Sequence, residues 1–255
     1  MGFPLQQADT LHAPLVRTIA LIAAVWVFSD AGYYFLLPAL GQASSYNDNP
    51  VGTSLYYLFW VGTTVILFWP QYARWPRLAR WRTFGNRLVS LAVWSLAFLA
   101  AVTFLAYVLP ALPPLSAQAL RDDFTLPELP LATSWYFLPK SVEILFQQLL
   151  IVAFVLGMAM NRFNLRSISI YGAVLFGATH LLLAFDDVPI GYVVRFSLVA
   201  GAFGLIIPYL VLRVPNGFAY SYVVHWGYYA GTVFMARMIG PEAVLKLARS
   251  LFGFD

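Results

Sequence analysis

Long apolar runs dominate this chain, and they constrain its fold more than any other feature. Seven such runs follow one another, at 16–38, 54–70, 87–110, 139–160, 168–185, 191–212 and 217–239. A helix needs about 20 mostly apolar residues to cross the hydrocarbon core of a bilayer, and a helix satisfies its own backbone hydrogen bonds there. The runs therefore predict an all-α, polytopic integral membrane helix bundle of about seven transmembrane helices.

The composition agrees with this fold class and excludes several others. Hydrophobic residues make up 61% of the 255 positions and charged residues only 10%, whereas a soluble domain is about 25% charged. The absence of cysteine excludes disulfides, iron–sulfur clusters and thiolate zinc sites. The net charge is +4, but the arginines concentrate in one loop. That pattern sets membrane topology, so we expect no nucleic-acid partner.

The same arginines indicate how the bundle is oriented. Five of them lie between Arg74 and Arg87, and cytoplasmic loops carry an excess of Lys and Arg. Counting the spans from this loop places Arg162 and Arg213 on the same side and the acidic loops on the other. We therefore predict a protein embedded in the lipid bilayer of a bacterial-type plasma (inner) membrane, with its N-terminus and the Arg74–Arg87 loop in the cytoplasm.

The chain divides into three parts that differ in how much they reveal. Residues 1–136 hold the first helices and a loop, residues 137–240 hold four helices and the candidate site, and residues 241–255 form a short amphipathic tail. Prolines interrupt the segment 114–139, which we interpret as an extramembrane loop. A further crossing within that segment would reverse the orientation of everything that follows it.

Three ionisable side chains, Glu143, His180 and His225, lie inside apolar runs of the second half. A titratable group at bilayer depth costs at least about 2.5–3.5 kcal/mol, so each is a functional candidate by default. Because neighbouring spans are antiparallel, the helix ends that carry Glu143 and His180 meet on one membrane side. His225 lies about 12 Å along its helix at 1.5 Å per residue. We expect the three to converge in one polar cavity.

Three short stretches around these residues form a recognisable pattern. They are SVEILFQQLL at 141–150, a Phe-x-x-x-His motif at 176–180, and LRVPNGFAYSYVVH at 212–225. In order and spacing they resemble the CPBP family, the membrane-embedded group of CAAX-type prenyl proteases and bacteriocin-processing or self-immunity enzymes. The resemblance covers about residues 137–232. It implies an intramembrane endopeptidase that needs no cofactor and acts on a peptide or membrane protein.

The resemblance also implies roles for four residues as catalytic candidates. In the family, an acid and the histidine of the second motif position and deprotonate the attacking water, while the third motif supports the oxyanion. His180 would then be the water-positioning base and His225 an oxyanion contact. Tyr229 stands at the family's Asn position, and a phenol O–H can donate to an oxyanion as an amide can. Glu143 takes the place of the second of two family glutamates.

Two departures from the family pattern bear on activity. Val142 stands where the first family glutamate would be, and a shift of one residue rotates a side chain by about 100° around a helix. Gln147 replaces the family's arginine, which leaves Glu143 without that cation and costly to bury; a pairing of Glu143 with Lys140 is the alternative. If hydrolysis survives, we expect Glu143 to have taken over the activation of water.

Two other interpretations stay open. Glu143, His180 and His225 form a His₂Glu set, which is the ligand chemistry of some catalytic zinc sites, so zinc is an alternative cofactor. Alternatively, the hydrolytic centre is eroded and the chain is a membrane protein that binds a partner helix, a prenylated chain or a lipid. Gly227 and Gly231 form a Gly-x-x-x-Gly pattern that suits close contact between helices.

Overall fold

Helices form the framework of this protein. A computed structural model describes residues 6–78, 84–115, 128–185 and 190–240, and these residues contain no β-strand. Seven of the described helices have at least 16 residues: α1 Gln6–Ala31, α2 Pro50–Leu67, α3 Phe84–Thr103, α4 Phe137–Met160, α5 Leu165–His180, α6 Ile190–Arg213 and α7 Gly217–Ile239. Each predicted apolar run coincides with one of them, and the all-helical fold class is confirmed.

Two of these helices are longer than their regular α-helical part. α1 continues through a π-helical turn at Gly32–Leu36 into Leu37–Ala39, and α3 continues through a π-helical turn at Phe104–Val108 into Leu109–Ala111. In both, a proline is the second residue after the π turn. Proline lacks the N–H that the helix needs and crowds the preceding turn, and a wider π turn accommodates it without ending the helix.

Local sequence explains where other helices begin. Pro50 opens α2 without loss of a hydrogen bond, since the first helical N–H has no partner within the helix. The Asn49 side chain caps the same helix by accepting a hydrogen bond of 3.2 Å from the Gly52 amide. Asn164 caps α5 in the same way, accepting from the Ser167 amide at 2.9 Å.

Helix α4 lies at the centre of the bundle. Its most apolar window is 67% buried, whereas that of the helix spanning Arg87–Ala111 is 0% buried. α5 and α6 pack most closely, because glycines face each other between them: a Cβ added to Gly204 would lie 2.4 Å from the carbonyl oxygen of Gly172. Small residues at such a crossing allow two backbones to approach.

Membrane-like character is evident in five of the described helices. By length and composition, the segments that could cross a membrane are Leu15–Ala39, Pro50–Leu67, Arg87–Ala111, Phe137–Met160 and Ile190–Arg213. α5 has only 16 residues, and α7, with 23 residues, is rich in Tyr, Trp and His. The count of seven crossings and the orientation remain predictions.

Different polar contacts are found at the two ends of the bundle. At the end that carries Arg74 and Arg213, which we name the arginine end, the Trp75 indole N–H donates to the Val211 carbonyl at 3.2 Å. At the other, the site end, the Ser45 hydroxyl donates to the Glu128 carboxylate at 2.8 Å. The antiparallel arrangement of neighbouring helices places the first turns of α4 and α6 at the site end.

Three predictions lie partly or wholly outside the described residues. They concern residues 79–83 of the Arg74–Arg87 loop, residues 116–127 of the segment 114–139, and the amphipathic tail at 241–255. Of the second segment, residues 114–115 and 128–139 are described; Leu129–Leu131 form a short 3₁₀ turn rather than part of a crossing helix, and α4 begins at Phe137.

Candidate functional site

A buried ion pair anchors the candidate site. Lys140 and Glu143 are three residues apart in the first turns of α4, which puts them on one helix face, and their side chains form an ion pair. Lys140 is 7% exposed and Glu143 is 9% exposed. Of the two alternatives for Glu143, the structure shows the pairing with Lys140 and not a carboxylate without a cation. A lysine one turn earlier supplies the charge that Gln147, standing at the arginine position of the family pattern, does not.

Both oxygens of the Glu143 carboxylate also accept hydrogen bonds. The Tyr46 hydroxyl donates to Oε2 at 2.7 Å, and the Gln147 amide donates to Oε1 at 2.9 Å. Tyr46 belongs to the loop between α1 and α2, and its hydroxyl lies 3.0 Å from that of Tyr57. Burial, together with the nearby Glu143 carboxylate, raises the pKa of Tyr46 well above its usual value of 10.0. Tyr46 therefore stays protonated and remains a donor.

Three tyrosine rings surround the Lys140 ammonium group. Its Nζ lies 4.4 Å from the ring centroid of Tyr46, 4.7 Å from that of Tyr229 and 5.8 Å from that of Tyr136. Cations within about 6 Å of an aromatic face are attracted by the ring quadrupole, and more strongly when they are desolvated. The cage thus stabilises a cation that burial alone would disfavour, and it connects the ion pair to Tyr229 on α7.

His225 stacks on Tyr229 and contacts Gln148 of α4. The two rings are one turn apart on α7, with centroids 5.5 Å apart and planes 25° from parallel. Gln148, which is 0% exposed, places its Nε2 3.3 Å from His225 Nδ1 and accepts a hydrogen bond of 3.1 Å from the Ser221 hydroxyl through its Oε1. Because an amide nitrogen only donates, His225 Nδ1 accepts and its neutral ring carries the proton on Nε2.

His180 is the last residue of α5 and is held by its own helix. Its Nδ1 lies 2.8 Å from the Phe176 carbonyl oxygen. A carbonyl only accepts, so Nδ1 carries the proton and Nε2 keeps its lone pair when the ring is neutral. The Phe176 ring meets both imidazoles edge-on, with centroids 5.2 Å from His180 and 6.3 Å from His225.

One pocket joins His180, His225 and Tyr229, and aromatic and small apolar side chains complete its wall. Glu143 is not among its lining residues. A series of contacts connects the carboxylate to the pocket instead. Glu143 pairs with Lys140, Lys140 lies over the ring of Tyr229, and Tyr229 stacks on His225. The structure therefore brings three of the four candidate residues to one pocket, whereas the fourth, Glu143, pairs with Lys140 and does not line the pocket. A water in this pocket would meet an imidazole and a phenol.

Metal-binding geometry has no support in the part of the chain that the structure describes. No group of three or more His, Cys, Asp or Glu side chains lies there in an arrangement that could hold a metal ion. Glu143 uses both oxygens for other partners, and His225 Nδ1 is engaged by Gln148. The His₂Glu zinc alternative therefore gains nothing from this geometry.

Two residues of the site were missed at the level of sequence. The sequence could have indicated Gln148, because two adjacent glutamines in an apolar run predict a buried polar contact: an amide without a hydrogen-bond partner is costly to bury there. No such signal indicated Tyr46, because it reaches Glu143 from a loop 97 residues away. The site thus draws on the N-terminal part of the chain, 1–136, as well as on the segment 137–240.

Comparison with known proteins identifies no relative of this chain. No family model, no curated protein and no solved structure matches it. What the protein does must therefore be argued from the residues and geometry of the site.

Proposed function

We propose that this chain is a CPBP-like intramembrane endopeptidase, a protein of a bacterial-type plasma membrane that hydrolyses a peptide bond of a peptide or membrane protein near the membrane. One observation carries the proposal: His180, His225 and Tyr229, from two helices that are not adjacent in sequence, line the same pocket. These are the positions at which the motif resemblance implies a base and two oxyanion contacts. The apolar helices around them support a membrane location.

His180 is the base in this proposal. Its Nδ1–H is held by the Phe176 carbonyl, so Nε2 is the nitrogen that can take a proton from a water in the pocket. His225 offers its Nε2–H, and Tyr229 offers a phenol O–H. Donors fixed in advance stabilise the negative charge that develops on the oxygen of an attacked carbonyl. The scheme uses no cofactor.

Glu143 acts through Lys140 rather than on water. Its oxygens are occupied by the lysine, Tyr46 and Gln147, and a general base must reach its proton within about 3 Å or through one water. We assign Glu143 the task of holding Lys140 against the ring of Tyr229, which in turn stacks on His225. This differs from the role that the sequence led us to expect for Glu143.

The same geometry favours a second candidate function. No described carboxylate lines the pocket, and the charged group nearest to Tyr229 in the site is the Lys140 ammonium, 4.7 Å from the ring centroid. A site with an eroded hydrolytic centre would have this arrangement. In that case the pocket binds a partner helix, a prenylated chain or a lipid without cutting it.

The test uses purified protein in liposomes and a library of fluorescence-quenched peptides, each present in a farnesylated and an unmodified form. His180→Ala should lower cleavage by about 10²-fold or more, the usual cost of losing a general base. Val174→Ala is the control, because it removes an exposed side chain from the same helix. Cleavage that is undiminished in His180→Ala would overturn the proposed mechanism. Binding of library peptides by the wild type without cleavage would establish the second candidate instead.

Glu143→Gln separates the two possible bases. If His180 activates water, this variant should retain part of its activity, because the base itself is intact. Complete loss in Glu143→Gln, in protein that is still folded at the assay temperature, would identify Glu143 as the base and refute its supporting role.

A further inference from the structure

Arg195 lies near the site end of α6, and one of its donors has a hydrogen-bond partner among the described residues. One guanidinium nitrogen, Nη2, donates to the Thr232 hydroxyl at 2.8 Å, and Cζ lies 5.5 Å from the centroid of the Tyr228 ring. The ion pair between Lys140 and Glu143 is the one pair found among the described residues, so no described carboxylate neutralises Arg195. A guanidinium offers five N–H donors in a planar fork. The half-buried group is therefore an available anion ligand.

Two buried tyrosine hydroxyls accompany Arg195 in this part of the bundle. Tyr192 is 3% exposed, and its hydroxyl is buried without a hydrogen-bond partner among the described residues. The Tyr228 hydroxyl is also buried and lies beside the Thr232 hydroxyl. Tyr192 precedes Arg195 by three residues and so shares its face of α6, and the charge of Arg195 acts on both phenols. Buried hydroxyls normally have partners. A cation, a buried hydroxyl without a partner among the described residues and a second phenol in one cluster indicate an anion that accepts from them.

The depth of the cluster matches the membrane interface. Arg195 is five residues from the start of α6, or about 7.5 Å at 1.5 Å per residue, and Thr232 is about 10 Å from the end of α7. A long cationic side chain at this depth extends towards the headgroups. The exposed Leu198 and Leu205 continue from Arg195 along α6 towards the bilayer centre, and they offer an apolar track below the cation.

We infer that Arg195, Tyr192 and Tyr228 bind the phosphate of an anionic phospholipid, with an acyl chain lying along Leu198 and Leu205. The guanidinium fork matches phosphate oxygens, and the two phenols supply further donors. The apolar track favours a lipid over a free anion. The inference depends on the membrane location of α6 and α7 but not on peptidase activity, so either proposal can fail without the other.

Native mass spectrometry of the detergent-solubilised protein tests the site, with dioctanoyl phosphatidylglycerol as the anionic probe and dioctanoyl phosphatidylcholine as the zwitterionic one. We expect one phosphatidylglycerol retained per chain in preference to phosphatidylcholine. Arg195→Gln should weaken that binding about tenfold or more, and Arg195→Lys should retain part of it. Tyr192→Phe and Tyr228→Phe should each weaken it less. Arg213→Gln, which changes an exposed arginine at the opposite end of the same helix, should leave it unchanged.

Thermal unfolding gives a second readout that separates binding from misfolding. Phosphatidylglycerol should raise the unfolding temperature of the wild type and of Arg213→Gln, but not that of Arg195→Gln. Equal binding of both lipids, or wild-type retention of phosphatidylglycerol by Arg195→Gln, would overturn the inference. Displacement of the lipid by inorganic phosphate would assign the site to a free anion. Displacement by a tripeptide with a free C-terminus, but not by its amide, would assign it to a peptide carboxylate.

Discussion

At the scale of single residues, Lys140 decides the charge balance of the site. Lys140→Met would keep much of the side-chain volume but leave Glu143 buried without its cation. Breaking one side of a buried ion pair costs about 3–5 kcal/mol, and we expect a loss of that size in the free energy of unfolding. The double variant Lys140→Met/Glu143→Gln removes both charges and should recover most of it.

Denaturant unfolding in mixed micelles measures both variants. A double variant no more stable than the single one would show that Lys140 contributes through its packing in the tyrosine cage rather than through its charge.

Tyr46 gives the site a dependence on alkaline pH. Its raised pKa means that it keeps its proton in the folded state when an unfolded tyrosine, with a pKa near 10.0, loses it. The stabilisation is therefore fully present below about pH 10, the pKa of a free tyrosine, and declines as the pH rises further, because the folded state then binds more protons. Tyr46→Phe should make the decline of the unfolding free energy between pH 9 and pH 11, a range about the pKa of free tyrosine, less steep. An unchanged slope would mean that other groups dominate it.

The sequence predicted site residues correctly where the free-energy cost of burying a titratable group pointed to them. The cost of placing a titratable group in an apolar run identified Glu143, His180 and His225, and the structure places both histidines at one pocket. The same reasoning could not choose between a free and a paired Glu143, because the partner depends on rotamers. It could not find Tyr46, since nothing local to a loop residue records a contact 97 residues away.

At the scale of helices, the contact between α5 and α6 depends on two glycines. Gly204→Ala would place a Cβ 2.4 Å from the Gly172 carbonyl oxygen, so the helices must separate. Overpacking of this kind costs about 1–3 kcal/mol. Gly227→Ala on α7 is the matched control, because a Cβ there meets nothing within 4 Å. It should be neutral or stabilising, since alanine favours helix over glycine by about 0.5–1 kcal/mol.

Unfolding free energies of the two variants check this directly. Equal values for Gly204→Ala and Gly227→Ala would mean that α5 and α6 are not held by close backbone contact. The Gly-x-x-x-Gly pattern of α7 also shows the limit of motif reasoning. Gly227 and Gly231 make no close contact with the described residues, whereas Gly172 and Gly204, from different helices, form the tight crossing.

Prolines, glycines and capping residues in the sequence indicated where helices begin and end. They did not indicate where a helix is distorted into a 3₁₀ or π turn. The last predicted part of the fifth run is a 3₁₀ turn, Leu181–Phe185, and α5 itself ends at His180. Apolar character does not distinguish an α-helix from a 3₁₀ or π turn, because all of them bury the same side chains. The turn type depends on backbone hydrogen bonding and on packing at the helix end.

At the scale of the whole molecule, the orientation of the bundle is the prediction that most needs measurement. The chain has no cysteine, so single cysteines can be added without background. Asp48→Cys at the site end and Arg74→Cys at the arginine end are both at exposed positions. In intact spheroplasts a membrane-impermeant maleimide should label the first and not the second. The opposite result would mean that the arginine end faces outwards.

The pairing of Lys140 with Glu143 has a consequence for how the protein is made. Because the two residues are one turn apart on α4, each charge has its counter-charge on the same helix as soon as that helix has been synthesised. If α4 spans the membrane as proposed, it enters as a segment in which these two charges cancel, and neither charge depends on the insertion of another helix. Tyr46 precedes Glu143 by 97 residues, so the hydroxyl that completes the site is synthesised before the carboxylate that it binds.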